Sequence, residues 1–151
     1  MNKIYLASYK AQGDIVDKII RFFTRGKYSH SELVIHKFEI TDHYHKDEWF
    51  ECYSSSPRDG GVRVKRISAL SADKWDLIEL KETSESDIKA YFEQTKGTKY
   101  DYAGAIGIKL GIKESRSKVF CSEWIFNFLF NSSGGWRIEP NLLHEILKGK
   151  K

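Results

Sequence analysis

Short stretches in which apolar and polar residues alternate recur along the first half of the chain, and this period of two predicts β-strands. The stretch HSELVIH, for example, places His30 and Glu32 on one face and Leu33 and Ile35 on the other. Proline and glycine in the sequence PRDGG, residues 57–61, predict a turn between two of these stretches. The predicted strands are residues 3–9, 30–36, 49–55, 62–67 and 74–80.

A period near 3.6 residues predicts helices elsewhere in the chain. In the first of them, Asp14 is placed to cap the start and Gly26 to end the helix. Its apolar residues share one helical face: Ile15, Ile19, Phe22 and Phe23. The polar segment 37–48 is predicted to be a loop or the end of a hairpin. The predicted helices are residues 14–25, 82–97, 102–112 and 120–131, with a last helix that begins near Pro140.

The order of these elements predicts the fold class. A strand and a helix come first, a run of strands follows, and helices end the chain. This order is typical of an α+β domain in which helices pack on a mostly antiparallel sheet. The chain has 151 residues with no internal repeat and no linker, so we expect one domain over residues 1–151.

Composition and charge limit the classes of partner that the protein could bind. Hydrophobic residues make up 40% of the chain and aromatic residues 14%, which indicates a packed globular protein rather than a disordered one. The net charge is +4, but the basic residues are scattered apart from the C-terminal lysines. A nucleic-acid interface requires a clustered basic surface, so no nucleic-acid partner is predicted.

The sequence also bears on location and on metal chemistry. Lys3 is followed by too short an apolar run for a secretory signal, and no apolar stretch is long enough to span a bilayer, so we expect a cytoplasmic protein without a transmembrane segment. Two cysteines make a disulfide framework unexpected in that compartment. The one close pair of potential ligands, His43 and His45, does not make a metal motif, and we predict no metal and no cofactor.

A cysteine at the start of an apolar helix is the first chemical candidate. The sequence KVFCSEWIFNFLF is apolar around nearly the whole helical circumference, which predicts a buried helix. Cys121 falls in its first turn, where free backbone N–H groups and the positive end of the helix dipole favour a thiolate. A thiolate is a nucleophile. The alternative is that Cys121 is an inert thiol that fills space in the core.

A cysteine nucleophile needs a base, and the base needs a group that orients it. Of five histidines, His30 opens a predicted strand, where its side chain can project at the edge of a sheet. Two carboxylates are candidates for the orienting group. Glu51 lies on the neighbouring strand and Glu32 lies two residues along the same strand face as His30. Strand spacing favours Glu51. The alternatives are that Glu51 pairs with Arg63 or Arg66 and that Glu32 is an exposed edge charge.

Three motifs taken together resemble a known family. YSHSELVI is similar to a histidine motif, FECYSSSPRDGGVRVKRI to an acidic strand and hairpin, and YDYAGAIG followed by KVFCSEWI to a cysteine motif. The family is the circularly permuted branch of the NlpC/P60 papain-like cysteine hydrolases, the group of YiiX-like proteins, and the resemblance covers most of the chain. It implies a permuted papain-like fold in which Cys121 is the nucleophile, His30 the general base and Glu51 the group that orients the histidine.

The resemblance and the residue chemistry predict the same reaction. We expect a thiol hydrolase, of peptidase or amidase type, that cleaves an amide or ester bond through an acyl-enzyme on Cys121. The substrates implied are a small peptide, a peptidoglycan fragment of the cell wall, or an acyl or lipid compound. Glu32 stands where the family has small apolar residues and is expected to contact substrate or to replace Glu51, while Tyr100 and Ser122 are candidates for a second oxyanion donor. The alternatives are an acyltransferase with the same thioester chemistry and a non-catalytic binding module of the same fold.

Overall fold

The computed structural model describes residues 2–40, 46–103 and 118–150. Within these ranges seven strands and four α-helices form one α+β arrangement, as the order of elements predicted. The strands are β1 (Lys3–Tyr9), β2 (His30–Ile40), β3 (Lys46–Ser56), β4 (Gly61–Ile67), β5 (Trp75–Glu79), β6 (Lys99–Tyr100) and β7 (Lys118–Val119). The helices are α1 (Ile15–Thr24), α2 (Glu85–Thr95), α3 (Cys121–Leu129) and α4 (Pro140–Lys148), with a 3₁₀ turn at Gly135–Arg137. In the part of the chain that is described, no helix is both long and apolar enough to cross a bilayer.

All seven strands join one sheet in the order β5-β1-β2-β3-β4-β6-β7. Every pairing is antiparallel except that of β6 with β7, so the prediction of a mostly antiparallel sheet is confirmed. The turn from β3 into β4 needs glycine. Gly60 has a φ of +78°, and a Cβ on Gly61 would lie 2.0 Å from the backbone oxygen of Thr98. The hairpin is thereby held close to β6.

Strand alternation divides the sheet into two faces with different partners. The main core lies on the face that carries Leu33 and Ile35 and packs against Trp124 and Ile125 of α3 and Leu143 of α4. Each fully buried side chain of this size contributes roughly 1.5–3 kcal/mol. The opposite face carries a smaller cluster: Ala7, Val34 and Cys52, covered by Tyr5, Phe50, Ile67, Leu70 and Trp75.

The segment 37–48, predicted as a loop or the end of a hairpin, is strand in its described residues. The β2–β3 ladder continues from Lys37 opposite Trp49 to Ile40 opposite Lys46, so the hairpin alternative is confirmed. Polar side chains suit the end of a hairpin that faces solvent, so composition alone did not separate strand from loop. Most of the helix predicted at 102–112 lies outside the described residues.

Helix α1 begins as predicted but is oriented unlike most amphipathic helices. Asp14 caps it by accepting hydrogen bonds from two first-turn amides, and Arg25, with a φ of +52°, ends it one residue before Gly26. The residues that define the apolar face of the sequence pattern are exposed: Ile15, Ile19 and Phe22. The charged Asp17 is turned inward together with Ile20.

Candidate active site

His30 is the first residue of β2 and lies near the end of the sheet. It pairs with Tyr9 on β1, and its ring centroid lies 6.5 Å from that of Trp75 on β5. The imidazole side chain is 12% exposed. His30 opens a strand, as predicted, but β2 is an interior strand, so the nearly buried histidine lies at a strand end rather than at an edge of the sheet.

Cys121 is the first residue of α3 and is buried. The start of the helix is anchored on both sides, because Ser55 Oγ donates to the Val119 carbonyl at 2.6 Å and Trp124 Nε1 donates to Thr95 Oγ1 at 2.9 Å. The Cys121 thiol lies close enough to the His30 imidazole to influence the protonation of the ring. His30 is therefore the histidine of β2 that lies near the thiol.

His36, the competing histidine on the same strand, lies elsewhere. Its Nε2 contacts Glu48, and its ring stacks on Phe50 at a centroid distance of 4.5 Å. It takes no part in the cluster around the thiol.

Glu32 is the carboxylate that contacts the base. Its Oε1 lies 3.0 Å from His30 Nε2, and Arg63 donates to both carboxylate oxygens at 2.7 and 3.1 Å. The residue is only 5% exposed. Burial favours the neutral acid, but the hydrogen bonds and charges of His30 and Arg63 outweigh it and lower the pKa of Glu32 to about 2. Glu32 is therefore ionised at neutral pH.

The same contacts favour a charged imidazole. Burial alone would lower the pKa of His30, but the charge of Cys121, its hydrogen bond to the ring, and the contact with Glu32 raise that pKa to about 9. At neutral pH the ring is thus an imidazolium that lies between a sulfur and a carboxylate.

Arg63 extends the cluster onto the hairpin. Besides Glu32, it donates to the Cys52 carbonyl at 3.1 Å and to Asp59 at 2.9 Å, and Lys65 lies 2.9 Å from Asp59. A buried charge is tolerated only when it is paired, and here each charge has a partner. Sequence reasoning considered Arg63 as a partner of Glu51. Strand alternation could have placed Arg63 correctly. Arg63 lies opposite Ser54, which is two residues from Cys52 on β3 and therefore on the same sheet face. That face is the one that carries Glu32.

The expectation that Glu51 contacts His30 was wrong. Glu51 lies opposite Ile35, on the sheet face that carries the main core, whereas His30 projects from the other face. Its carboxylate accepts from Tyr53 Oη at 3.0 Å and lies 3.8 Å from Lys89 Nζ. A register that differs by one residue moves a side chain to the opposite face, and sequence alone did not fix that register.

Cys52, next to Glu51, lies on the face of His30 instead. It is opposite Val34, and burial followed by the nearby charge of Glu32 raises the pKa of the Cys52 thiol. The Cys52 thiol is therefore neutral at physiological pH, and as a neutral thiol it is not expected to act as a nucleophile.

Tyr100 and Ser122 both lie beside Cys121. Tyr100 lines a small cavity of about 10 Å³ with Cys121, and burial, followed by the charge of Cys121, raises the pKa of its phenol. Ser122 follows Cys121 in the first turn of α3. Its Oγ is buried and has no hydrogen-bond partner within the described ranges.

A cleft opens on the His30 side of the cluster. It has a volume of about 70 Å³ and lies between α1, the start of β2 and the β3–β4 hairpin, where Arg58 and Asp17 line it with His30 and Glu32. A larger cavity of about 550 Å³, lined by Leu80, Leu129 and their neighbours, contains none of the three clustered residues. Of these two cavities, only the smaller one is lined by His30 and Glu32.

Fold and site together define an α+β protein in which a buried cysteine, a nearly buried histidine and a buried glutamate are grouped at the start of an interior strand, β2. Across the described ranges, no group of three histidine, cysteine or acidic residues is arranged to hold a metal ion. No protein-family model matches the chain, and comparisons with curated proteins and with solved structures found no match.

Proposed function

We propose that the protein is a cysteine hydrolase in which Cys121 is the nucleophile, His30 the general acid and base, and Glu32 the group that orients the histidine. The observation that carries the proposal is the grouping of three side chains: His30 lies near the Cys121 thiol and places its Nε2 3.0 Å from Glu32. Nucleophile, base and orienting acceptor in series define an activated nucleophile.

The proposed reaction has two steps. Since Glu32 occupies Nε2, Nδ1 is left to face sulfur, and proton transfer between them gives a thiolate and an imidazolium. The thiolate attacks the substrate carbonyl, and the imidazolium protonates the departing amine or alcohol to leave a thioester on Cys121. The neutral His30 then removes a proton from water, which attacks the thioester and releases the acid and the thiol.

The start of α3 supplies a place for the oxyanion. The first amides of a helix have no acceptor within it, so the Cys121 N–H can donate to the developing negative charge. Such a donor contributes about 3–4 kcal/mol when well placed. Tyr100 and Ser122 remain candidates for the second donor, since both lie beside Cys121.

The order of the site residues supports assignment to the permuted NlpC/P60 branch. The strand that carries His30 precedes the helix that carries Cys121, which is the reverse of the unpermuted order. The site differs from what the resemblance implies at Glu32 and Arg63. The orienting carboxylate, Glu32, lies on the same strand as His30 instead of on the neighbouring strand, and Arg63 pairs with it. The amide or ester substrates that the resemblance implies are part of this proposal.

The test is acylation followed by mass spectrometry of the intact protein. With p-nitrophenyl acetate we expect one acetyl group to accumulate on Cys121, and turnover to stop in Cys121→Ala but not in the matched Cys52→Ala. Release of acetate to water supports a hydrolase, whereas transfer to an added alcohol or amine in preference to water supports the acyltransferase. Acetylation at Cys52, or none at Cys121 in folded protein, would contradict the proposal.

A further inference from the structure

Helix α1 presents an apolar stripe to solvent. Ile15, Ile19 and Phe22 are 72%, 38% and 77% exposed, and their spacing of four and three residues places them along one line of the helix. Single exposed apolar residues are ordinary on protein surfaces, but three in line on one helix are not. The stripe is the side of the helix that faces away from the sheet.

Positive charges border this stripe. Lys18 and Arg25 are exposed. Lys18 lies one turn after Ile15 on the helix, and Arg25 is the residue that ends the helix, directly after its last turn. The acidic residues of the helix are already paired, since Arg58 donates to its cap Asp14 at 2.8 Å and to the buried Asp17 at 2.5 Å. The outward side of α1 therefore combines apolar and cationic side chains, and the charge of the neighbouring Asp14 is compensated by Arg58.

We propose that this side of α1 docks the protein on an anionic lipid surface. An apolar stripe bordered by lysine and arginine is the pattern of helices that lie in the membrane interface. The charge is complementary to anionic headgroups. A partner protein would require a groove of matching shape, whereas a single convex helix can insert its apolar side chains between lipids without one.

Docking through α1 would also orient the cleft. The inner side of the helix lines that cleft through Val16, Asp17 and Ile20. The helix is about 10–12 Å across, so the cleft would lie that far from the lipid surface. This proposal stands on the exposed stripe and its charges and does not depend on catalysis by Cys121.

The experiment is co-sedimentation of the full chain with sucrose-loaded vesicles, of phosphatidylcholine alone or with a quarter of phosphatidylglycerol. We expect binding to the anionic vesicles. Phe22→Ser should weaken it at least about tenfold, the factor expected for withdrawing one aromatic side chain from an apolar phase. The double variant Lys18→Gln, Arg25→Gln should weaken it more than tenfold on anionic vesicles and little on neutral ones.

Ile40→Ser is the matched control for the test variant Ile15→Ser. The two isoleucines are 74% and 72% exposed, but Ile40 lies at the far end of β2, away from α1. We expect Ile15→Ser to reduce vesicle binding and Ile40→Ser to leave it unchanged, with unaltered thermal unfolding in both. Equal loss in both variants, or no binding by the wild type, overturns the proposal. A dimer in gel filtration that Phe22→Ser dissociates would overturn it as well, in favour of a second copy of the chain as the occupant.

Discussion

Replacement of Glu32 by glutamine tests the part of the site that sequence reasoning assigned differently. The substitution keeps the shape of the side chain and removes its charge. In the structure Glu32 Oε1 lies 3.0 Å from His30 Nε2, and Arg63 donates to the same carboxylate. Glutamine removes the negative charge that lies between Arg63 and the imidazole, so the imidazolium should be less stable and the pKa of His30 should fall below about 9.

The magnitude follows from the charge pair. Two unit charges 3.0 Å apart interact by about 5.5 kcal/mol at the effective dielectric constant near 20 that suits such sites. Arg63 already compensates part of the Glu32 charge. The interaction energy between Glu32 and His30 is therefore reduced to roughly half of this value. A loss of about 2–4 kcal/mol corresponds to a fall in turnover of roughly thirtyfold to a thousandfold.

Two assays read the effect of Glu32→Gln. One is turnover of p-nitrophenyl acetate, and the other is the pH dependence of alkylation by iodoacetamide, which reports the thiolate directly. The matched control is Glu51→Gln, whose carboxylate bonds Tyr53 on the other face of the sheet and should change either rate by less than about twofold. If Glu32→Gln is silent while Glu51→Gln loses activity, the orienting carboxylate has been assigned to the wrong residue.

The other predictions concern the same cluster. Limiting iodoacetamide should label Cys121 before Cys52, because burial and a nearby carboxylate raise the pKa of the Cys52 thiol; peptide mapping that finds Cys52 labelled first would contradict this. His30→Ala should abolish thiol reactivity near neutral pH while His36→Ala preserves it, as measured by alkylation rates; equal loss in both would refute the contact. Burial lowers the pKa of His30, but the nearby Cys121 and Glu32 outweigh it and raise that pKa to about 9. We therefore expect kcat/KM to fall as the pH rises through about 9. A fall near pH 6.5, the ordinary pKa of histidine, would count against the imidazolium. Arg63→Met should lower turnover roughly tenfold and move this alkaline limb upward, because the carboxylate charge then acts on His30 alone; an unmoved limb would leave Arg63 a purely structural residue.

The elements were predictable because periodicity is a local property. Strand alternation and helical spacing placed the sheet, the cysteine helix and the order of elements correctly, and Asp14 was recognised as a cap from its position alone. For the segment 37–48 the sequence left a loop and a hairpin end open, because a solvent-facing hairpin end needs no apolar residues to continue its ladder.

The positions of Cys121 and His30 were predictable for a different reason, since each lies at the first residue of its element. Cys121 starts α3 and His30 starts β2, and element starts are visible in sequence. Which carboxylate meets the base was not visible. It depends on the register between β2 and β3, where a single residue decides whether Glu51 shares the face of His30.

The orientation of α1 shows what a pattern of hydrophobic residues leaves open. The pattern gives a helix with an apolar face, and burial of that face would be the ordinary outcome. Here the inward position belongs to Asp17, which accepts from Ser29 Oγ at 2.8 Å and from Arg58 on the β3–β4 turn. A buried carboxylate is costly unless hydrogen-bonded, and these donors lie 12 and 41 residues away in sequence, so no local pattern reports them. Because these donors hold Asp17 on the inner side of α1, Ile15 and Phe22 lie on its outer side. The vesicle experiment tests whether this outer side binds lipid.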